Sequence, residues 1–94
     1  MKIGTYILAT KYSDGDAHDH WAVGFLKGEF KVGSNIRYDV VDKDGNLFRH
    51  NGFRRIQKIT AKEGEWIIKQ GDAMKLADSV WHCLRWYRRQ QKDS

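Results

Sequence analysis

A chain of 94 residues makes one domain and excludes the deep cleft between two domains that an elaborate enzyme uses. Hydrophobic residues at 40% and charged residues at 31%, with four Trp, four Tyr and four Phe, exclude a disordered chain. The net charge of +5 is lopsided: residues 1–48 hold six Lys/Arg against seven Asp/Glu, and residues 49–94 hold eleven against five, so the second half points to polyanions or acidic surfaces as partners.

The first element is GTYILATKY, whose alternation puts apolar residues on both faces and predicts a central strand. An acidic loop follows. Trp21, Val23 and Phe25 then share one face of a second strand and Ala22, Gly24 and Leu26 the other, with Gly24 marking a bulge or a close backbone approach. KGEFKVGSN reads as turn residues. Two strands are expected next, Ile36 to Val41 and Leu47 to Arg49, joined by a tight turn at Asp44-Gly45-Asn46. A second turn at Asn51-Gly52 leads into a strand whose Ile56 and Ile59, three apart, suggest a bulge.

Thr60 and Glu63 have the spacing of a capping box, so a short helix starts there, carries Trp66, Ile67 and Ile68 and stops at Gly71. Gly64 inside it costs about 1 kcal/mol against Ala. Asp72 caps a longer helix, about Ala73 to Gln91. Its apolar stripe is Ala73, Leu76, Ala77, Val80, Leu84 and Tyr87, and its polar stripe is His82, Arg85, Arg89 and Lys92. The expected fold is α+β: a small, strongly bent antiparallel sheet of four or five strands, or an SH3-like barrel, over residues 5–60, followed by two helices over residues 61–91.

WAVGF, YDVVDKDG and the following Ile-rich strand resemble the SH3-like barrels of the Tudor and chromodomain-like kind over Thr5 to Thr60. Trp21, Phe25 and Tyr38 sit on strand faces and read as core; the resemblance offers, as the alternative, a shallow aromatic cage near Tyr12, Trp21 and Tyr38. The set SDGD, DHWAVGF, RYDVV and NGFRRI also resembles small phage and prophage proteins, which implies an origin and the cytoplasm of a bacterial host.

Chemistry has few places to reside. Asp14, Asp16, His18 and His20, spaced by two, would point to one side of an extended backbone and offer a zinc-like cation His-x-His beside carboxylates, with His50 as a distant ligand. The preferred reading is a solvated loop, because Asp14-Gly15 is a turn pair and nothing later completes a ligand shell. Asp42 to Asn46 starts like a calcium loop, but Phe53 stands where the bidentate Glu belongs. Cys83 has no second Cys to pair with, and its neighbour His82 points elsewhere on a helix, so an inert thiol is expected. No nucleotide loop, nucleophile elbow or zincin motif occurs, which predicts a protein that is not an enzyme and needs no cofactor.

Two basic groups remain: Arg49, Arg54, Arg55 and Lys58 around the second turn, and Arg85, Arg88, Arg89 and Lys92 on the last helix. If they share one face they make a phosphate-binding patch with Trp86 available for stacking. The expected function is therefore a small basic binding module for nucleic acid. A protein-protein effector docking on a host or phage protein is the alternative, and a metal-binding protein through Asp14–His20 is a third. No apolar run is long enough to span a membrane, so no membrane partner is expected.

Overall fold

In the computed structural model, which describes residues 1–11, 21–48, 52–70 and 80–92, YILAT takes the place its two apolar faces require. β1 (Tyr6–Thr10) lies between β2 (Trp21–Val32) and β4 (Arg55–Lys58), with β3 (Asn35–Val41) outside β2; all pairs are antiparallel, in the order β3-β2-β1-β4. Ile7, Leu8 and Ala9 are fully buried, since strand side chains alternate and both sides of β1 are covered. The sheet splits the core in two. Leu8 and Val23 pack with Ile59, Ile67, Val80, Trp81 and Leu84, whereas Ile7, Ala9, Ala22, Leu26, Val40 and Phe53 form the other cluster. Each fully buried large apolar side chain contributes about 1.5–3 kcal/mol.

β2 corrects the expectation of a turn at KGEFKVGSN. It continues to Val32, and only Gly33-Ser34 turn the chain, with Gly33 at φ 65. The cause is a bulge between Leu26 and Gly28, where the register shifts. One extra residue reverses the alternation, so the apolar pattern before the bulge cannot be continued by eye beyond it. Gly24 meets the other half of its expectation: a Cβ there would collide with the Val41 carbonyl and the Phe48 ring, so β2 needs glycine for close approach.

Of the expected strand Leu47 to Arg49, the described residues Leu47 and Phe48 form none, and Arg49 lies outside the described residues. Leu47 makes an isolated bridge to Val41, because the chain has turned tightly: Asp42 Oδ1 accepts from the backbone N–H groups of Asp44 (2.9 Å) and Asn46 (3.0 Å), and Gly45 has φ 85. Nor is β4 bulged. It pairs with β1 in unbroken register, and the odd spacing of Ile56 and Ile59 places them on opposite faces, each against its own cluster. The sheet is open, and the bridge between Tyr38 and Phe53 draws its edges together at one point.

α1 (Ala61–Lys69) begins at Thr60 with both halves of the capping box in place: Glu63 N donates to Thr60 Oγ1 at 3.1 Å and Thr60 N to Glu63 Oε1 at 2.8 Å. α2 (Val80–Lys92) buries Val80 and Leu84 as expected, and also Trp81. Trp81 Nε1 donates to the buried Thr10 Oγ1 at 3.2 Å, which satisfies a polar pair in the core. Gly71, Asp72, Ala73, Leu76 and Ala77 lie outside the described residues.

Candidate functional site

α2 packs against α1 and into the core cluster of Leu8, Val23, Ile59 and Ile67, and two further contacts tie it to β4. Arg55, opposite Thr10, turns its guanidinium over the Trp81 ring, 4.2 Å from the centroid. Further along, Arg88 Nη2 donates to the Lys58 carbonyl at 3.2 Å. From Trp81 to Arg88 a helix rises about 10.5 Å, and from Arg55 to Lys58 a strand advances about 10 Å, so the two elements keep in step. The helix thus follows the free edge of the sheet. At Lys58 it answers one backbone carbonyl of that strand.

One member of each basic group meets across this contact: Arg88 of α2 and the Lys58 backbone of β4. Arg85, Arg89 and Lys92 are exposed on α2, and Lys58, whose carbonyl accepts from Arg88, is exposed on β4. Arg54 is exposed just ahead of β4. Arg88 is engaged by Glu63, to which it donates through Nε and, at 3.3 Å, through Nη2, so its charge is largely answered within the fold. Burial works against ionised Glu63, but hydrogen bonds from Arg88 and Thr60 and the Arg88 charge outweigh it and hold the carboxyl below the usual glutamate range. Arg49 lies outside the described residues.

Trp86 is 50% exposed, and its inner side is stacked on Trp66, with centroids 5.7 Å apart and planes 23° apart. Trp66 also stacks on Tyr87 at 4.8 Å. Such pairs contribute about 0.5–1.5 kcal/mol each beyond their buried area and hold the outer indole in a defined orientation. The helical neighbours of Trp66 are Lys62 and Lys69, four before and three after, both exposed; Arg89 stands three after Trp86. Lys62 and Lys69 were not part of the expected patch. Their spacing around Trp66 was the available signal, but it gains meaning only once Trp66 meets Trp86. Arg85 Nη2 lies 3.2 Å from His82 Nδ1, which accepts in the tautomer protonated at Nε2.

The other candidates fare differently. Asp14, Asp16, His18, His20 and His50 lie outside the described residues, and among the described residues no cluster of His, Cys, Asp or Glu is suited to hold a metal. Trp21 and Tyr38 pack against the two core clusters, as their core reading has it, and so do not assemble the alternative aromatic cage; Tyr12 lies outside the described residues. Cys83 is half-buried, and burial pushes its thiol up, away from the reactive thiolate.

An apolar groove of about 840 Å³ runs between the sheet and α1, lined by Tyr6, Trp21, Phe25, Phe48 and Ile68, with Asp42 and Glu65 among its polar groups. Burial and then the Glu65 charge push the Tyr6 phenol above its usual value. Lys43 also lines the groove. Among the described residues, no helix is long and apolar enough to cross a membrane. Comparison with known proteins found no matching family model, no matching curated protein and no matching solved structure.

Proposed function

We propose that the protein is a non-enzymatic module that binds single-stranded nucleic acid across α1 and α2, in the cytoplasm of a bacterial host as the phage-like sequence features imply. The observation that carries this reading is the exposed Trp86 indole, propped on Trp66, on two helices whose exposed cations include Arg85 and Arg89 of α2 and Lys62 and Lys69 of α1. A base stacked on the indole is worth about 1–3 kcal/mol, and each phosphate contact releases a counterion. Arg55 and Arg88 serve as positioning residues that hold α2 against β4.

The two terms separate in a salt titration with a short oligonucleotide. Replacing Arg85 and Arg89 with Gln is expected to lower the slope of log K against log salt by about 0.7 for each removed charge. Trp86→Ala is expected to weaken binding about 5- to 150-fold at unchanged slope. Binding that is weak, independent of salt and equal in all three proteins overturns the proposal.

A protein partner is the second reading, favoured by the apolar residues left exposed on the β2–β3 hairpin: Phe30 at 50%, Val32 at 56% and Ile36 at 42%. Affinity capture that persists after nuclease treatment and is lost in Phe30→Ser would select this reading over the first.

A further inference from the structure

The β2–β3 hairpin projects past β1. β1 accompanies β2 only to Phe25, and the last contacts on that side are at Leu26, whose N–H donates to the Thr5 carbonyl (2.9 Å) and whose carbonyl accepts from Gly4 N (2.8 Å). Beyond them, among the described residues, β2 has β3 on one edge and no strand on the other, and Glu29, Phe30, Lys31 and Val32 are all exposed. The backbone direction at this edge follows from β3. Tyr38 exchanges hydrogen bonds with Phe53 (2.7 and 2.9 Å), so its main chain faces away from β2. Its partner across the strands is Glu29, which therefore turns its own N–H and C=O away from β3, and the antiparallel alternation gives the same direction to Lys31. The Phe30 main chain, between them, faces Arg37 of β3.

We infer that this edge of β2 pairs antiparallel with the same edge of a second copy of the chain, about a two-fold axis at Phe30. In that register Glu29 stands opposite the partner's Lys31, and Lys31 opposite the partner's Glu29. These are the residues whose backbone groups point outward, so each pair exchanges both N–H···O=C bonds. Opposite charges facing each other add to the pairing. Neighbouring registers fail on charge: an axis at Glu29 opposes the two Glu29 and sets Lys27 against Lys31, and an axis at Lys31 opposes the two Lys31. On the other face of the strand, Phe30 meets the partner's Phe30 in the close, non-hydrogen-bonded position, flanked by Val32 of each copy. Those side chains are 50% and 56% exposed in the single chain. Gly28, opposite the partner's Val32, leaves room for the cluster: a Cβ there would come within 2.9 Å of Phe30 Cζ, so the ring already lies over the glycine. The proposal rests on the hairpin being an interaction surface, as the protein-partner reading has it, and commits that surface to a second copy; it does not depend on nucleic-acid binding.

The test is sedimentation equilibrium of the full chain up to about 1 mM, where weak pairing is populated. Wild type is expected to dimerise. Glu29→Lys and Lys31→Glu are substitutions at exposed positions that each set like charges against each other, and each is expected to weaken the dimer about tenfold or more. Joining both in one chain restores the opposite charges and is expected to restore the dimer, as is mixing the two single variants. Hydrogen exchange at rising protein concentration is expected to slow at the Glu29 and Lys31 amides and to stay unchanged at Phe30 and Val32, which are bonded within the hairpin. A chain that is monomeric throughout, a dimer indifferent to both single variants, or one that the double swap does not restore overturns the inference. A monomer that nonetheless captures another protein through Phe30 overturns the self-pairing and leaves the protein-partner reading in place.

Discussion

Gly64 illustrates how one residue can reverse a propensity rule. In an isolated helix Ala would be better by about 1 kcal/mol. Here the Cβ would fall on the ring and hydroxyl of Tyr6, the residue through which α1 approaches β1. Gly64→Ala is therefore expected to destabilise the protein by about 1–3 kcal/mol in urea unfolding, because overpacking outweighs propensity. A stabilised variant would show that α1 does not pack this closely on Tyr6.

Among the elements, α2 is the most informative, because its faces have different tasks. Val80, Trp81 and Leu84 point into the core, while Arg85, Trp86 and Arg89 face outward. Leu84→Ala is expected to cost about 2–5 kcal/mol and Arg89→Ala less than about 0.5 kcal/mol, read by thermal or urea denaturation. Equal small effects would mean that the inner face is not packed. The inner face of this helix was legible in the sequence through Val80 and Leu84. Trp81 was not, because a tryptophan off the main stripe reads as surface until Thr10 supplies a partner for its N–H.

For the molecule as a whole, Glu63 is the joint: it caps α1, binds Arg88 of α2 and thereby holds α2 to β4. Its carboxyl is held below the usual glutamate range despite burial. A depressed folded value means that this contribution is fully present above the unfolded carboxyl's titration and is lost as pH falls through the folded one. Glu63→Gln is expected to cost about 1–3 kcal/mol at neutral pH and to flatten the acid limb of a plot of stability against pH. Urea melts at neutral and acidic pH would show this, and an unchanged acid limb would place the acid sensitivity in other carboxylates.

Features that depend on neighbours in the chain were determined by the sequence alone. The alternation in YILAT made a central strand, Thr60 and Glu63 made a capping box, and Asp42 to Asn46 made a turn; each is settled by hydrogen bonds or periodicity within a few residues. The α+β order of strands followed by helices came from the same local signals. The reach of β2 to Val32, the regular β4, the Trp66–Trp86 stack and the contact of Arg88 with the Lys58 carbonyl were decided only by tertiary structure. Each depends on which distant residues meet, as the Trp81 indole N–H does the Thr10 hydroxyl across 71 positions. Such pairings follow from burying the two faces of one sheet together, and a window of neighbouring residues does not contain both partners.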